Sequence, residues 1–535
     1  MMLNDSQNEA YQYIINNLSK ERVILLEGSA GTGKTTLTKS ICNYYRQTKN
    51  LCVCAIAPTH KSKKIIKNIL NTGSIIPVSA MTIASALGKI KEHSYVGTKI
   101  YSNGSNKKLS SYRLFILDEV SMIHDSDLKI IIDYILNNNK QLLIIGDRNQ
   151  IPCPNAKYVV SNVIERADSY IFTDTEITQI TLSEIVRQSA DSPIIQLSSF
   201  VKTHLLTDEP FSKMIEETAF GNVIPYREMY KQFERSFIKD KVNSCRIIAY
   251  TNASVKTHNM EARNQFGYED EYVVGELLTG YSNIGFPELI IENGEDYFIK
   301  CIRETRTHPI GKYRNLAGKL IDLLIPDSKV TIPALFFINI HDPANTDFIL
   351  KLIELAEKIN TVGSSKTDYL QYMAMKNSVI FSEDVYRFDG GIFTETTFKE
   401  SHALLFTNVN EIIVSNTVNS TTLSDKINTA YPQIIEARMS DKHKQVGDSE
   451  MFADKFKVIE KDVYYGYSIT AHKSQGSTYD SAIVDEPDFQ KIRNRWNYKF
   501  NKMESRIKEK NQIRYVSYTR AKDNLYIVYE TRENE

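Results

Sequence analysis

The chain has 535 residues, with 65 lysines and arginines against 65 aspartates and glutamates, so its formal net charge is zero. This balance excludes a histone-like basic protein and an acidic tail, and 42% hydrophobic with 24% charged residues excludes a mainly disordered chain. At roughly 100–200 residues per domain, the length predicts several domains. Scattered cysteines and the lack of any apolar run near roughly 18 residues favour a cytoplasmic protein without a membrane-spanning segment.

Buried parallel strands are predicted along the first 190 residues. Short apolar runs occur at 23–27, 52–58, 114–119 and 142–147, and each ends in a polar or glycine-containing turn. Runs of this length that alternate with helical stretches indicate an α/β fold with a parallel sheet. We expect ligand-binding groups at the carboxyl ends of these strands.

A second α/β unit and a long insertion are predicted in the rest of the chain. Similar strand-like runs return at 245–252, 464–474 and 524–530. Between the first two of these, the sequence is rich in turn and strand-forming residues at 293–302 and 388–398, and it has a helical stretch at 347–359. The predicted domains are 1–180, with a β-hairpin insertion at 88–112, then a second domain from 181–265 and 461–535, and an inserted accessory domain at 266–460.

A phosphate-binding loop is predicted directly after the first strand, where residues 28–36 read GSAGTGKTT. In the pattern GxxxxGK[ST], glycines let backbone N–H groups surround the phosphates, the lysine reaches the β and γ phosphates, and the hydroxyl binds Mg²⁺. We therefore expect ATP and Mg²⁺ as cofactors. The predicted nucleotide-binding residues of the loop are Gly28, Ser29, Ala30, Gly31, Thr32, Gly33, Lys34, Thr35 and Thr36.

Later strands supply the other groups that nucleotide hydrolysis requires. LFILDEVSM ends in Asp118, a candidate Mg²⁺ ligand, and Glu119, which could polarise the attacking water. A carboxylate pair after a strand can also be a solvated strand end, but here it follows the phosphate loop in the expected order. Gln150 follows the next strand, where its amide could sense the γ-phosphate. Arg187 and Arg520 could neutralise charge that develops during phosphoryl transfer.

Nine segments stand in the order found in the superfamily 1 DNA helicases. The chain resembles their RecD-like branch, which includes the phage Dda helicase. The segments are LNDSQNEA (3–10), GSAGTGKTT (28–36), APTHKSKK (57–64), MTIASALG (81–88), LDEVSMI (117–123), IIGDRNQIP (144–152), LSEIVRQ (182–188), ITAHKSQGSTYD (469–480) and YVSYTRAKDNLYIV (515–528).

The resemblance implies two RecA-like P-loop domains, ATP in the cleft between them, and single-stranded DNA crossing their tops in 5′→3′ translocation. It further implies that Gln7 reads adenine, that Arg187 and Arg520 reach the γ-phosphate, and that Gln475 and Gly476 lie on the nucleotide side. The insertion is implied to be β-rich, with an SH3-like part and additional segments. The residues implied to contact DNA or couple it to ATP are Thr59, His60, Lys61, Thr82, Thr470, His472 and Lys473.

Two basic stretches are candidates for contact with DNA. Residues 60–108 carry nine lysines against one acid, Glu92, and 490–514 carry nine lysines or arginines against two glutamates. Basic side chains along a cleft bind a phosphate backbone without sequence preference, although a solvated helix face and loop would look similar. The second stretch contains Trp496, which could stack on bases or pack inward from a helix.

A β-hairpin is predicted at 94–108, where β-leaning text precedes an Asn103-Gly104 turn signal. In the resembled branch a hairpin at this place splits the duplex, which implies that Tyr95 or Tyr101 presents a ring to the fork. The alternative is that both tyrosines only pack the hairpin onto its domain.

Two functions remain open at this point. The first is an ATP-dependent DNA helicase, acting as a monomer on single-stranded and fork DNA, with a single-strand-binding or replisome protein as a candidate partner. The second is an ATPase stimulated by single-stranded DNA that serves as a clamp or remodels protein–DNA complexes with little unwinding. The complete hydrolytic set favours the helicase.

Overall fold

The structure is a computed structural model that describes residues 3–72, 77–88, 90–93, 99–102, 109–153, 157–160, 163–166, 168–184, 192–285, 290–310, 313–361, 366–383, 459, 461–497 and 501–529. The chain divides into two compact units. The first unit comprises Met1–Ile90, Asn103–Glu269 and Tyr467–Glu535, and the second comprises Lys91–Ser102 and Asp270–Gly466. No helix of the described residues is both long and apolar enough to span a membrane.

Helices and strands alternate along most of the first unit. The helices are α1 Asp5–Glu21, α2 Lys34–Gln47, α3 His60–Asn71, α4 Ile83–Ala86, α5 Asp125–Asn137, α6 Pro193–Thr203, α7 Phe211–Thr218, α8 Met229–Ser236, α9 Asn252–Gln265, α10 Thr346–Thr361, α11 Lys366–Asn377, α12 Ala471–Ser474, α13 Glu486–Phe489 and α14 Ile507–Tyr518, of which α10 and α11 belong to the second unit.

The strands follow the apolar runs of the sequence closely. They are β1 Val23–Gly28, β2 Val53–Ala57, β3 Ser79–Thr82, β4 Ile90–His93, β5 Lys99–Ser102, β6 Leu114–Leu117, β7 Gln141–Gly146, β8 Lys157–Val160, β9 Val163–Arg166, β10 Thr178–Leu182, β11 Val223–Ile224, β12 Cys245–Ala249, β13 Leu277–Gly280, β14 Asp296–Ile310, β15 Tyr313–Ile325, β16 Val330–Ile338, β17 Val463–Tyr465, β18 Ser468–Thr470, β19 Tyr479–Asp485, β20 Arg495–Asn497, β21 Lys502–Glu504 and β22 Ala521–Val528.

The first sheet has the order β10-β1-β7-β6-β2-β3, and all of its described pairings are parallel. Its four central strands are buried on both faces because helices cover both, whereas the edge strands β10 and β3 are partly exposed. Ile14 of α1 and Ile41 of α2 pack with Leu26 on one face, whereas Leu128 of α5 packs with Leu25 on the other. The apolar runs therefore became central strands, and the predicted parallel sheet is confirmed.

The second sheet of the first unit has the order β11-β22-β19-β12-β18, and its described pairings are also parallel. Leu197 of α6 and Val516 of α14 pack on its strands together with Ile248 and Val484. The strands come from both sides of the insertion, since β12 precedes it and β18, β19 and β22 follow it. The predicted α/β architecture with two parallel sheets is confirmed.

A small sheet with the order β20-β21-β9-β8 joins two distant segments of the first unit, and it was not predicted. Strand β9 follows the first sheet's β7, whereas β20 and β21 lie between β19 and β22 of the second sheet; β21 pairs with β9 in parallel. Trp496 lies on β20 and is 45% exposed. The alternative in which this ring packs inward from a helix is therefore wrong.

The second unit contains an antiparallel sheet with the order β16-β15-β14-β13-β17. Phe348 and Leu352 of α10 pack in one core with Leu316 and Phe336 of the sheet. The β-rich character of the insertion and its helix near 347–359 are confirmed. The β-leaning text at 388–398 lies outside the described residues.

Near residue 100, where a hairpin is predicted, β4 and β5 pair in a two-stranded sheet. Its second strand ends at Ser102, and Asn103 and Gly104, where the turn is predicted, lie outside the described residues. Tyr101 lies on β5, and Tyr95 lies outside the described residues.

Candidate active site

The phosphate-binding loop stands between β1 and α2, as its sequence predicts. Gly31 and Gly33 have φ angles of 85° and 78°, a left-handed region that glycine adopts without steric cost. The loop ends where α2 begins at Lys34, and this helix of 14 residues directs its first backbone N–H groups toward the loop. Thr35 is exposed and Thr36 half-buried on the first turn. The arrangement is a ready anion site.

The side chains of Lys34 and Gln7 both donate hydrogen bonds to backbone carbonyls of the loop. The Nζ of Lys34 donates to the carbonyl oxygens of Gly28 and of Ser29, the latter at 3.0 Å. The Nε2 of Gln7 donates to the carbonyl of Thr32 at 3.0 Å, and Gln7 is 3% exposed. Gln7 also forms a capping box with Asn4 at the start of α1. Gln7 thus lies beside the nucleotide loop, and adenine reading by it stays a prediction.

Gly28, the last residue of β1, is packed so closely by its neighbours that a residue with a side chain would collide with them. A Cβ at this position would lie 2.5 Å from Thr32 Oγ1 and 3.3 Å from the Leu182 carbonyl. We expect Gly28→Ala to lower the free energy of unfolding by about 1–3 kcal/mol and to weaken binding of a fluorescent ATP analogue. Gly221→Ala is the matched control because nothing lies within 4 Å of its Cβ position. Equal urea midpoints and equal nucleotide affinities for both variants would contradict this prediction.

Asp118 and Glu119 lie together at the end of β6. The backbone N–H of Asp118 donates to Ile56 at 2.9 Å, and that of Glu119 donates to Asp118 Oδ1 at 3.0 Å. Burial raises the pKa of Asp118 to about 7, with a further rise from the charge of Glu119, whereas the Glu119 N–H and Lys34 lower it. Because the Lys34 charge is felt here, Asp118 lies close to the phosphate loop.

The Mg²⁺ prediction rests on the Thr35 hydroxyl and the Asp118 carboxylate, and these oxygen donors fit the ion. Mg²⁺ in nucleotide sites takes one or two protein oxygens, and phosphates and waters complete its shell. A buried carboxylate whose pKa is raised also favours a nearby cation, which would stabilise its charged form. In the described residues, no group of three or more His, Cys, Asp or Glu side chains forms a separate metal site.

Residues from the second sheet meet this site directly. The Nε2 of Gln475 donates to the carbonyl of Ile151 at 3.0 Å and lies 3.5 Å from Gln150 Oε1. Gly476 has a φ of 73°, and a Cβ on it would lie 4.0 Å from Glu119 Oε1. Gln150 is 5% exposed. The predicted Gln150, Gln475 and Gly476 are therefore brought together with Glu119.

Arg520 is buried near the same carboxylates. Its guanidinium donates to the carbonyls of Val516 and Ser477, each at 2.9 Å, and to Thr519 Oγ1 at 3.0 Å. Burial lowers the pKa of Arg520, and the charge of Glu119 is the largest influence that opposes this. The guanidinium is thus held by its own domain within electrostatic reach of Glu119. Arg187 lies outside the described residues.

All three threonines predicted to contact DNA begin helices at the carboxyl ends of strands. Thr59 and Thr82 cap α3 and α4 after the adjacent strands β2 and β3, and Thr470 caps α12 after β18. A fourth, Thr251, caps α9 after β12, the neighbour of β18. The two sheets therefore carry the same pair of threonine-capped helix starts. Helix starts of this kind bind phosphate groups through N–H donors.

Comparison with known proteins is consistent with this geometry. Residues 2–207 match the family model described as an AAA domain. The chain is 27% identical over 344 residues to the ATP-dependent DNA helicase dda of Enterobacteria phage T4, covering 60% of this chain and 72% of that protein. It is 26% identical over 189 residues to the ATP-dependent RecD2 DNA helicase of Deinococcus radiodurans, covering 35% of this chain and 23% of that protein.

The chain is thus similar to superfamily 1 helicases of the Dda and RecD type. Among solved structures it is similar to the Pif1 helicase from Candida albicans, with a TM-score of 0.44 and 15% identity over 100% of this chain and 96% of that one.

The remaining predicted DNA contacts lie beside the threonine caps. His60 begins α3, and its Nδ1 lies 3.4 Å from Lys63 Nζ. His472 is exposed on α12, with its ring 6.3 Å from that of Tyr250. Lys61 and Lys473 are half-buried on the same two helices. Basic and aromatic side chains therefore stand at both helix starts.

The second basic stretch, residues 490–514, is largely neutralised, which its sequence does not reveal. At least six of its nine cations pair with carboxylates in the described structure. The pairs are Lys491–Asp488, Arg495–Glu504, Arg506–Glu509, Lys508–Asp168, Lys510–Asp208 and Arg514–Glu486. Four of these carboxylates come from outside 490–514. The stretch is therefore not a continuous basic surface for DNA.

Sequence reasoning missed two groups near the candidate sites. Thr251 follows the strand CRIIA in the text YTN, the same strand–threonine–helix order as at Thr59 and Thr470, so that order was the available signal. Asp488 accepts hydrogen bonds from the backbone N–H groups of Tyr250 and Thr251, each at 2.7 Å. The other missed group is Tyr515, whose contacts depend on residues far away in the sequence.

Proposed function

We propose that this chain is an ATP-dependent DNA helicase that translocates 5′→3′ on single-stranded DNA and unwinds forks in replication, recombination or repair. One observation carries the proposal: groups from both parallel sheets meet at the phosphate loop, with Gln475 on the Ile151 carbonyl and Gly476 beside Glu119. A site completed from two sheets makes hydrolysis depend on their relative position. The phage T4 relative, an ATP-dependent DNA helicase, supports DNA as the track.

The proposed reaction is attack of water on the γ-phosphorus of ATP. The N–H groups at the start of α2 and the Lys34 ammonium hold the phosphates, and the Glu119 carboxylate takes the proton of the attacking water. The bond between γ-phosphorus and the bridging oxygen breaks, and Arg520 neutralises charge as ADP leaves. Mg²⁺ on Thr35 and Asp118 would supply further positive charge at the phosphate oxygens. Gln150 orients the water or senses the γ-phosphate.

The proposed DNA track runs over the threonine-capped helix starts. Thr59 and Thr82 on one sheet and Thr470 on the other place phosphate-binding helix starts on both sides. The fourth start, at Thr251, is already occupied by the Asp488 carboxylate. Contacts to phosphates do not depend on base sequence, so they can be released and formed again at each step of translocation. The β4–β5 hairpin, with Tyr95 or Tyr101, is the proposed element that splits the fork. Both sheets belong to one chain, so we propose a monomer.

The proposal is tested with duplexes that carry only a 5′ or only a 3′ single-stranded tail, with phosphate release measured alongside. We expect ATP-dependent unwinding of the 5′-tailed duplex alone, together with ATP hydrolysis stimulated by single-stranded DNA. Unwinding of only the 3′-tailed duplex would contradict the polarity. Stimulated hydrolysis without unwinding of either duplex would replace the helicase with a clamp or remodelling ATPase.

A further inference from the structure

Tyr515 connects three parts of the candidate active site through one hydroxyl group. It lies on α14, five positions before Arg520, and is 2% exposed. Its hydroxyl accepts a hydrogen bond from the backbone N–H of Ala30 in the phosphate loop at 2.9 Å. The same hydroxyl donates to Asp147 Oδ2, after β7, at 2.7 Å. Ala30 precedes Tyr515 by 485 positions in the sequence, and Asp147 precedes it by 368.

The donor and acceptor roles in this bridge are fixed. An ionised carboxylate only accepts, so Tyr515 must donate to Asp147 and can then accept from Ala30. The other oxygen of Asp147 accepts from the backbone N–H and the side-chain amide of Asn149, at 3.0 and 3.1 Å. The backbone N–H of Gln150 donates to the Asp147 carbonyl at 3.2 Å. Asp147 therefore ties the bridge to the loop that carries Gln150.

We propose that Tyr515 is a positioning residue for ATP hydrolysis, whose hydroxyl holds the Ala30 segment of the phosphate loop in register with Gln150 and Arg520. The inference rests on the proposed function. Burial raises the pKa of Tyr515 well above its usual value, and the Asp147 charge adds to this, so the hydroxyl keeps its proton. Misplacing reacting groups by about 1 Å can cost on the order of 10²-fold in rate.

Packing alone does not hold this side of the loop, which is why the hydrogen bond matters. A cavity of about 50 Å³ borders the contact and is lined by Ser29, Ala30, Lys202 and Tyr515 among others. Lys202 reaches the loop as well, since its Nζ donates to Ser29 Oγ at 2.8 Å, but that contact is exposed to solvent. The contact of Tyr515, whose side chain is buried, is less exposed and is therefore the stronger restraint on the loop.

The matched control is Tyr518, on the same helix. It is also fully buried, and its hydroxyl donates to Glu486 Oε2 at 2.9 Å, which lies on the second-sheet side. Tyr515→Phe and Tyr518→Phe each remove one hydroxyl from a buried donor position and keep the ring. Both variants should lose similar thermal stability, but only Tyr515→Phe should disturb the phosphate loop.

The experiment measures ATP hydrolysis stimulated by single-stranded DNA, and binding of a non-hydrolysable fluorescent ATP analogue, for the full chain. For Tyr515→Phe we expect kcat to fall by about tenfold or more, with KM and analogue affinity within about threefold of the starting protein. Tyr518→Phe should keep kcat. Asp147→Asn tests the bridge from its other end, and the double variant should lose no more than the worse single variant.

Several outcomes would overturn the inference. Equal kcat for Tyr515→Phe and Tyr518→Phe would make Tyr515 a structural residue, and a change confined to KM would make it a nucleotide-binding one. If the losses in kcat of Tyr515→Phe and Asp147→Asn add in the double variant, the two residues act independently and do not form one bridge. If the starting protein hydrolyses ATP and Lys34→Ala does not, these results refute only the role of Tyr515. If the starting protein shows no DNA-stimulated hydrolysis, the proposed function fails instead.

Discussion

Lys34→Ala is expected to abolish ATP hydrolysis while binding of single-stranded DNA survives. The ammonium group donates to the Gly28 and Ser29 carbonyls of the loop, so its charge lies where the loop would hold phosphates. Removing one preorganised donor from a developing charge costs about 10²–10³-fold in kcat, and here the removed donor carries a full charge. Phosphate release with and without oligonucleotide measures the effect.

Lys39→Ala provides the control for this change. Lys39 lies on the same helix but five residues further on, away from the loop. It should leave both hydrolysis and DNA binding unaltered, as measured by phosphate release and by fluorescence anisotropy of a labelled oligonucleotide. Robust hydrolysis by Lys34→Ala would mean that 28–36 is not the nucleotide site. Loss of DNA binding in the same variant would place DNA much closer to the loop than the threonine caps are.

Local sequence was enough to predict the strands and the phosphate loop. An apolar run as short as VILLE is typical of a strand that is buried inside a sheet, and β1 is buried throughout. The turn GSAGTGK requires glycines, because Gly31 and Gly33 have φ angles of 85° and 78°. The groups at strand ends followed from parallel topology, because the carboxyl ends of parallel strands share one edge. Asp118 and Gln150 were found in this way.

Long-range contacts were not predictable from the sequence. Tyr515 reads as an ordinary buried helix residue, and only the fold brings it to Ala30 and Asp147. The prediction that 490–514 forms a basic surface failed for the same reason. Lys508 and Lys510 form ion pairs with carboxylates more than 300 positions earlier in the sequence. Trp496 lies on a strand whose partner sheet includes residues near 160. Pairing across such distances leaves no periodic signal.

Glu119→Gln is the second large expected effect, with a loss of about 10²–10⁴-fold in ATP hydrolysis because a general base is removed. Nucleotide binding should survive. The pKa of Asp118 is about 7, and the charge of Glu119 contributes to that rise, so the neutral amide should lower it. More of Asp118 would then be ionised at pH 6–7, and Mg²⁺-dependent binding of an ATP analogue should strengthen there, with little change at pH 8.5.

The backbone of Glu119 gives this prediction a structural control. Its φ of 53° and ψ of 47° are left-handed, which costs a residue other than glycine about 1–2 kcal/mol. Glycine adopts this region freely, so Glu119→Gly should be at least as stable to urea as the starting protein, and equally inactive. A less stable glycine variant would mean that the carboxylate holds the turn. A stable and inactive one means that the turn tolerates a strained glutamate because catalysis requires its carboxylate.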